Sequence, residues 1–325
     1  MAKKEKETSS LIKALQFISK AQKDSGTSMQ THCVIANGKI TASDGVITAG
    51  CMIEEDLNAF PHTYKLLSAL QKCGKEYSIT QTDPGKLVIK SGKFQANVLC
   101  VAEELPIHGP DAAILPCGDV LKVALRETMH IAVEGANKVY MSAVLLQDGA
   151  CLATTGFVML QYYHGIQIPS CVLPKIFCSI LCSIDKKIVS VGGSQSSFTV
   201  WFEDNSWIKT QLYAESFPAC NDILKCPGDV LTIAPKGFYD ALNHIEDFSD
   251  GKEDAKQVLI TPEGLCSHKD KKQGAFYELK GMPEASFKIK QLKQIENAFK
   301  KFYFADGRMW FFGDNIRGII MGTVN

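Results

Sequence analysis

Asn37-Gly-Lys-Ile-Thr-Ala-Ser-Asp-Gly-Val-Ile-Thr48 lies over Asp148-Gly-Ala-Cys-Leu-Ala-Thr-Thr-Gly-Phe-Val-Met159 without a gap. Each reads as a turn dipeptide, a strand, a small polar turn and a second strand. A weaker third copy starts at Glu263-Gly264 and runs Leu-Cys-Ser-His-Lys-Asp270. Self-similarity at a spacing of about 110 residues decides the organisation of the whole chain before any local motif does.

Working outward, the three copies are framed alike. A helical pattern precedes each hairpin, over Ser10 to Gln22, Asp119 to Ala132 and Lys236 to Asp247, and a second follows it, over His62 to Gln71, Leu173 to Ser183 and Ile289 to Phe299. Two alternating strands then close each copy: Lys86 to Lys90 with Phe94 to Val101, Ser197 to Glu203 with Trp207 to Tyr213, and Lys301 to Ala305 with Met309 to Phe312. Their turns are Ser91-Gly92, Asp204-Asn205 and Asp306-Gly307. The first two copies leave through Glu104-Leu105-Pro106 and Ser216-Phe217-Pro218. The expected fold class is α+β, with two helices packed on antiparallel sheet in each of three repeated domains: 1–109, 110–225 and 226–325.

Composition agrees with several domains. The chain has 325 residues, 46% hydrophobic and 22% charged, more than one core ordinarily supports. Residues 1–8, rich in lysine and glutamate without an apolar core, read as a frayed start rather than a leader, and no apolar run has the length of a membrane span. The expected location is the cytoplasm. The 12 cysteines include Cys33, Cys51, Cys151, Cys171, Cys178 and Cys182, set in apolar runs where a reduced thiol acts as a small hydrophobe. Cys178 and Cys182 lack the second Cys or His pair that a zinc site requires, so no metal and no cofactor is expected.

Lys plus Arg and Asp plus Glu number 35 each, so only the distribution of charge can speak for a nucleic-acid partner. Lys13, Gln16, Lys20 and Lys23 share one face of the first helix, opposite Leu11, Ala14, Leu15 and Ile18. The spacing recurs in Lys65, Ser68, Lys72 and Lys75, and in Lys290, Lys293, Asn297 and Lys300, with a thinner version in Lys122, Arg126 and Lys175. One such stripe is an ordinary solvated helix face. Recurrence at equivalent places points instead to a merged basic surface suited to the DNA backbone, without base-reading side chains. The first helix of copy three runs against the trend, since Asp240, Glu246 and Asp247 accompany Lys236.

With these residues in view, the chain resembles the β sliding clamp, the processivity factor of bacterial and phage replicative polymerases, over residues 9 to 322. The resemblance is carried by Ala42-Ser-Asp-Gly45 and Ala153-Thr-Thr-Gly156, which look like the family's Ala-Thr-Asp-Gly turn, by Phe217-Pro218, and by the ending Arg317-Gly-Ile-Ile-Met-Gly322. It implies a head-to-tail homodimer closing a ring around double-stranded DNA, helices inward, with no catalytic residues. It also implies a cleft that takes short linear peptides of DNA polymerase and clamp loader: Met141, Thr154, Gly156, Phe157, Met159, Pro218, Ile223, Ile319, Ile320 and Met321. Phe94 and Phe248 are the implied anchors of the dimer contact. The sequence departs from the family at Thr155, at Phe157-Val158 and in the tail Gly322-Thr-Val-Asn325, as expected of a phage or otherwise divergent clamp.

Two other readings stand beside it. One is a three-domain enzyme whose site is assembled from residues distant in sequence; the other is a clamp-like factor that does not close as a homodimer. No local motif favours the enzyme. Gly192-Gly193-Ser194 lacks the Lys-Ser/Thr ending of a phosphate-binding loop, the 7 histidines show no i, i+4 pair, and Glu54-Glu55 and Glu103-Glu104 sit in polar connections.

Overall fold

The computed structural model describes residues 10–74, 76–103, 105–270 and 273–323. The expected frayed start at 1–8 and the basic position Lys75 lie outside the described residues. The chain forms two compact units, Met1–Val120 with Ser179–Leu212, and Leu121–Cys178 with Tyr213–Asn325.

Helices come in the expected pairs: α1 Ser10–Ile18, α2 Thr63–Lys72, α3 Val120–Met129, α4 Lys175–Ser183, α5 Phe238–Glu246 and α6 Ile289–Lys293. On α1 the apolar positions Leu11, Ala14, Leu15 and Ile18 are all buried. The expected helix from Ile289 to Phe299 is instead a short α-helix followed by a 3-10 turn at Glu296–Ala298. The reason lies in its buried residues, Ile289, Leu292, Ile295 and Ala298, which recur every third position. That period suits the three residues per turn of a 3-10 helix better than the α-helical 3.6.

In the first unit a 7-stranded antiparallel sheet runs Val34–Ala36, Lys39–Ser43, Ile47–Met52, Trp207–Gln211, Ser197–Phe202, Ile188–Gly193, Leu115–Pro116. Its middle joint sets Gly50 opposite Trp207 and Ile47 opposite Thr210, so the hairpin strands of copy one continue into the closing strands of copy two. Helix α1 covers the hairpin strands and packs on α2, and the Phe17 ring meets Phe202 edge-on at 5.9 Å. The closing strands of copy one form a separate 3-stranded sheet, Ser78–Asp83, Lys86–Ser91, Phe94–Leu99, with Phe94–Leu99 at its edge.

In the second unit the pattern repeats. An 8-stranded sheet runs Cys171–Pro174, Ala143–Gln147, Ala150–Thr154, Val158–Tyr163, Ile316–Met321, Arg308–Gly313, Lys301–Ala305, Thr232–Ile233. Its joint sets Gln161 opposite Arg317, so the hairpin of copy two continues into the closing strands of copy three. The hairpin of copy three stays in a 4-stranded sheet, Phe276–Glu278, Gly264–Cys266, Gln257–Thr261, Ala285–Lys288, under α5, with Phe276–Glu278 at its edge.

Two sequence assignments shift. Each copy closes with three strands rather than two, so the equivalents of Lys86–Ser91 with Phe94–Leu99 in copy three are Arg308–Gly313 with Ile316–Met321. The third hairpin turns at Pro262-Glu263, with Thr261 opposite Gly264, one residue earlier than the dipeptide Glu263-Gly264 suggests. Its loop carries neither of the Gly residues that mark the other two turns, and glycine is the stronger sequence signal.

The connection after copy one is tied down within the first unit. Ser197 Oγ and Thr199 Oγ1 donate to the Asp111 carboxylate at 2.9 and 2.8 Å, Lys209 Nζ donates at 3.2 Å, and Trp201 Nε1 donates to the Asp111 carbonyl at 3.1 Å. Burial acts to raise the Asp111 pKa, but the hydrogen bonds from Thr199, Ser197 and Lys209 outweigh it and hold the carboxyl below its ordinary value. Gly192 completes this tie: a Cβ there would stand 1.8 Å from the Ala112 carbonyl oxygen, so only glycine lets the connection lie this close. Gly192-Gly193 thus ends the strand Ile188–Gly193.

All 12 cysteines are free thiols. Burial pushes Cys33 and Cys171 up to about 12 and Cys220 to about 11, which removes thiolate character at neutral pH.

Candidate functional site

The register of the 8-stranded sheet lines up Leu145, Leu152, Met159, Ile319, Trp310 and Tyr303 along one face. Leu145 lies opposite Leu152, Met159 opposite Ile319, Ile319 opposite Trp310, and Trp310 opposite Tyr303. The chain leaving copy two crosses this face, burying Cys220 and Leu224 against Leu152, Met159, Trp310 and Ile319, with Phe217 packed beside them. Full burial of each such side chain stabilises the crossing by about 1.5–3 kcal/mol. Trp310 Nε1 donates to the Ile223 carbonyl at 3.2 Å and fixes the crossing segment in place.

Beside that segment lies an open cavity of about 330 Å³, lined by Tyr140, Thr154, Gly156, Phe157, Val158, Met159, Pro218, Ile223, Arg308, Ile319 and Met321. It gathers eight of the ten cleft positions named from sequence: Thr154, Gly156, Phe157, Met159, Pro218, Ile223, Ile319 and Met321. Met141 stands beside it, since a Cβ on Gly156 would come within 2.9 Å of its Cε. Ile320 is fully buried and absent from the lining; strand alternation turns it away from Ile319 and Met321, into the core.

The turn at the cavity rim explains its shape. Thr154 Oγ1 donates to the Val158 carbonyl at 2.9 Å and accepts from Gly156 N–H, while Thr155 Oγ1 accepts from Phe157 and Val158 N–H. Asp44 plays the same part in copy one, accepting from Val46 and Ile47 N–H, so Thr155 makes in copy two the turn that Asp44 makes in copy one. Gly156 takes φ +86°, and Phe157 is left 57% exposed on the rim, with Lys288 Nζ 5.7 Å from its ring centroid.

Tyr140, Val158 and Arg308 line the cavity although sequence reasoning missed them. Tyr140 and Val158 adjoin residues already named. Arg308 had no local signal, because only the pairing of Arg308 with Met321 brings its strand to the rim.

The eleven basic positions among the described residues separate by environment. Lys13, Lys23, Lys65, Lys72 and Arg126 are exposed and make no ion pair among the described residues. Lys20 Nζ donates to the Ser183 carbonyl at 3.3 Å and to its Oγ at 3.1 Å, and Lys175 Nζ donates to the Ala132 carbonyl at 2.6 Å. The first satisfies the carbonyl at the end of α4, and the second reaches the loop just beyond α3. Lys122 is buried, at 9% exposure. Lys290 pairs with Asp254 and Lys293 with Glu246, each at 2.5 Å, and Lys300 pairs with Asp314.

Phe94 is half-buried at the start of an edge strand, and Phe248 is 60% exposed just beyond α5. Two histidines far apart in sequence meet in the first unit: His32 and His62 form a bridge with ring centroids 5.1 Å apart. Burial lowers both pKa values, helped by mutual repulsion at His32 and by Lys65 at both. Among the described residues no group of three or more His, Cys, Asp and Glu could hold a metal ion, and no helix is long and apolar enough to cross a membrane.

Hairpin strands running into the closing strands of the next repeat, twice over, with paired helices and a cleft beside the crossing chain, define the fold of the β-type sliding clamps. Among solved structures, the chain is similar to the DNA polymerase sliding clamp of Pseudomonas aeruginosa, at TM-score 0.80 and 14% identity over 97% of each chain. It is similar to the β sliding clamp of C. crescentus, at TM-score 0.80 and 15% identity over 97% of each chain. It also matches the Helicobacter pylori β clamp bound to a DNA ligase peptide, at TM-score 0.74 and 13% identity over 97% of this chain and 98% of that one. No protein-family model matches the sequence, and no curated protein matches it.

Proposed function

We propose that the chain is a non-catalytic DNA sliding clamp: a head-to-tail homodimer of six domains, three per chain with boundaries near 109 and 225, that encircles duplex DNA and holds a polymerase on it. One observation carries this reading. Twice within the chain, the third hairpin strand of one copy pairs with the last closing strand of the next, Ile47–Met52 with Trp207–Gln211 and Val158–Tyr163 with Ile316–Met321. The same joint is left over at the two ends, as the edges Phe94–Leu99 and Phe276–Glu278. An unpaired edge invites pairing with another chain, and a head-to-tail contact whose rotation closes makes a ring.

The register carries over as well. Tyr162 lies opposite Ile316, which opens its strand directly after the turn, as Phe94 does. Counting from the hairpin turns, Glu278 corresponds to Tyr163, since Gly264 lies opposite Glu278 as Ala150 lies opposite Tyr163. In the dimer, Tyr277 of one chain therefore faces Phe94 of the other. Phe94 is on this reading one anchor of the contact, and Phe248, exposed just beyond α5, is the other candidate.

Partner peptides of the polymerase and clamp loader occupy the cavity beside Phe157 and Ile223. The H. pylori clamp's ligase peptide supports this mode, and the flexible Met159 and Met321 suit a surface that receives several partners in turn. A ring retains DNA by topology, so weak phosphate contacts that permit sliding are sufficient.

Light scattering after size-exclusion chromatography tests ring closure. The wild-type chain is expected at twice its own mass, and Phe94→Glu at the monomer mass with an unchanged circular-dichroism spectrum. A loaded clamp is further expected to stay on nicked circular DNA and to leave it after linearisation. A wild-type monomer at micromolar concentration, or equal retention on linear DNA, removes the ring.

A further inference from the structure

The lysine stripes that look equivalent in sequence are electrostatically unequal. Helix α1 and helix α2 carry Lys13, Lys65 and Lys72 and contain no acidic residue, and Lys23 follows just beyond α1. The two helices pack together, and Tyr64 Oη donates to the Ser19 carbonyl at 3.0 Å, so their lysines belong to one rigid surface. In the sequence Glu7 precedes α1 by three residues, Asp24 adjoins Lys23 and Glu76 follows Lys72 by four, and Asp24 makes no ion pair among the described residues.

Around α6 the situation is reversed. Each stripe lysine of copy three has its own carboxylate, Asp254, Glu246 or Asp314, and Asp247, Asp250 and Glu253 add further negative charge close by in the chain. Exposed pairs of this kind contribute little to stability, and an approaching phosphate could compete for the lysine. The displaced carboxylate would stay within a few ångströms of that phosphate, however, and repulsion across such a distance offsets the gain. Arg126 on α3 is the one exposed stripe cation of copy two without a partner among the described residues, since Lys122 is buried and Lys175 donates to the Ala132 carbonyl.

We infer that this chain holds the DNA backbone chiefly through α1 and α2, by way of Lys13, Lys23, Lys65 and Lys72, while Asp254, Glu246 and Asp314 keep the lysines of copy three from contributing. The inference rests on the DNA reading above and deepens it: the ring is gripped at one domain of each chain rather than evenly around its bore. Fewer effective contacts favour sliding, because each neutralised phosphate adds to the salt-sensitive part of the affinity.

Fluorescence anisotropy of a short labelled duplex, titrated with the full-length protein over a range of salt concentrations, separates the possibilities. Wild-type protein is compared with a Lys13→Gln, Lys65→Gln, Lys72→Gln triple variant and with a Lys290→Gln, Lys293→Gln, Lys300→Gln triple variant. If the first three lysines on each of the two chains each neutralise one phosphate, the slope of log affinity against log salt flattens by about 5.4 in the first variant and by less than about 2 in the second. Equal flattening in both, a larger effect in the second, or no flattening in the first overturns the inference while leaving DNA binding intact. Absence of salt-dependent duplex binding by the wild-type protein removes the DNA reading itself, and the inference with it. All six positions are at least partly exposed, so thermal unfolding is expected to certify both variants as folded.

Discussion

Trp310 Nε1 donates a hydrogen bond to the Ile223 carbonyl at 3.2 Å, joining a sheet strand of copy three to the chain that leaves copy two. Ile223 is one wall of the cavity and Trp310 is buried behind it, so the position of that wall depends on a bond made outside the cavity.

Trp310→Phe keeps much of the apolar volume and removes the donor. A hydrogen bond of this kind contributes about 1 kcal/mol, so binding of a polymerase-derived peptide at the proposed cleft is expected to weaken about fivefold. Calorimetric titration checks this, and unchanged affinity would show that Ile223 holds its place without the indole.

Gly156→Ala attacks the same cavity from its rim. The substitution forces a side chain into φ +86°, at about 1–2 kcal/mol, and brings a methyl group within 2.9 Å of Met141 Cε. A lowered midpoint of thermal unfolding together with weaker peptide binding is expected. Gly156→Asn, which tolerates the left-handed region, is expected to recover the backbone part of that loss while keeping the close contact with Met141.

Asp111→Ala leaves the Ser197 and Thr199 hydroxyls and the Lys209 ammonium without their shared acceptor. Urea denaturation is expected to report a loss of roughly 3 kcal/mol, in the range seen when buried, charge-assisted bonds are broken. Because the folded carboxyl titrates below its ordinary value of 3.8, its contribution is complete above that pH and is lost as pH falls through the folded value. The variant is therefore expected to show a shallower loss of stability below pH 3.8 than the wild type.

The His32–His62 contact predicts a second pH dependence, of known sign. Both folded pKa values lie below the ordinary 6.5, so just under that pH the unfolded chain binds more protons than the folded one, and stability falls as pH is lowered. The groups facing the pair are Lys65 and the two imidazoles themselves. His62→Asn, placing a favourable residue at the start of α2, is expected to flatten the decline of the melting temperature between pH 7 and 5. An equally steep decline in the variant would assign it to other groups.

The helix pairs and hairpins were legible because they are local. Alternation marks the strands, a three-and-four spacing buries Leu11, Ala14, Leu15 and Ile18 together, and glycine marks the turns after Asn37 and Asp148. Where the local signal was weak the reading slipped, as at Pro262-Glu263 and along Ile289 to Phe299. The cleft was legible through resemblance at eight positions. Arg308 escaped because its place depends on strand pairing, and Ile320 was included because its neighbours in sequence belong there.

By itself, then, the sequence determined a threefold repeat of two helices and antiparallel strands, and which residues could form a basic or an apolar face, since both follow from the period of the backbone. Only the tertiary structure decided that each hairpin runs into the closing strands of the next copy, because hydrogen bonds between strands join residues more than a hundred positions apart. Only it decided which lysines remain available: Lys13 and Lys290 share a spacing rule, but Asp254, 36 residues from Lys290, reaches it through the fold and neutralises it.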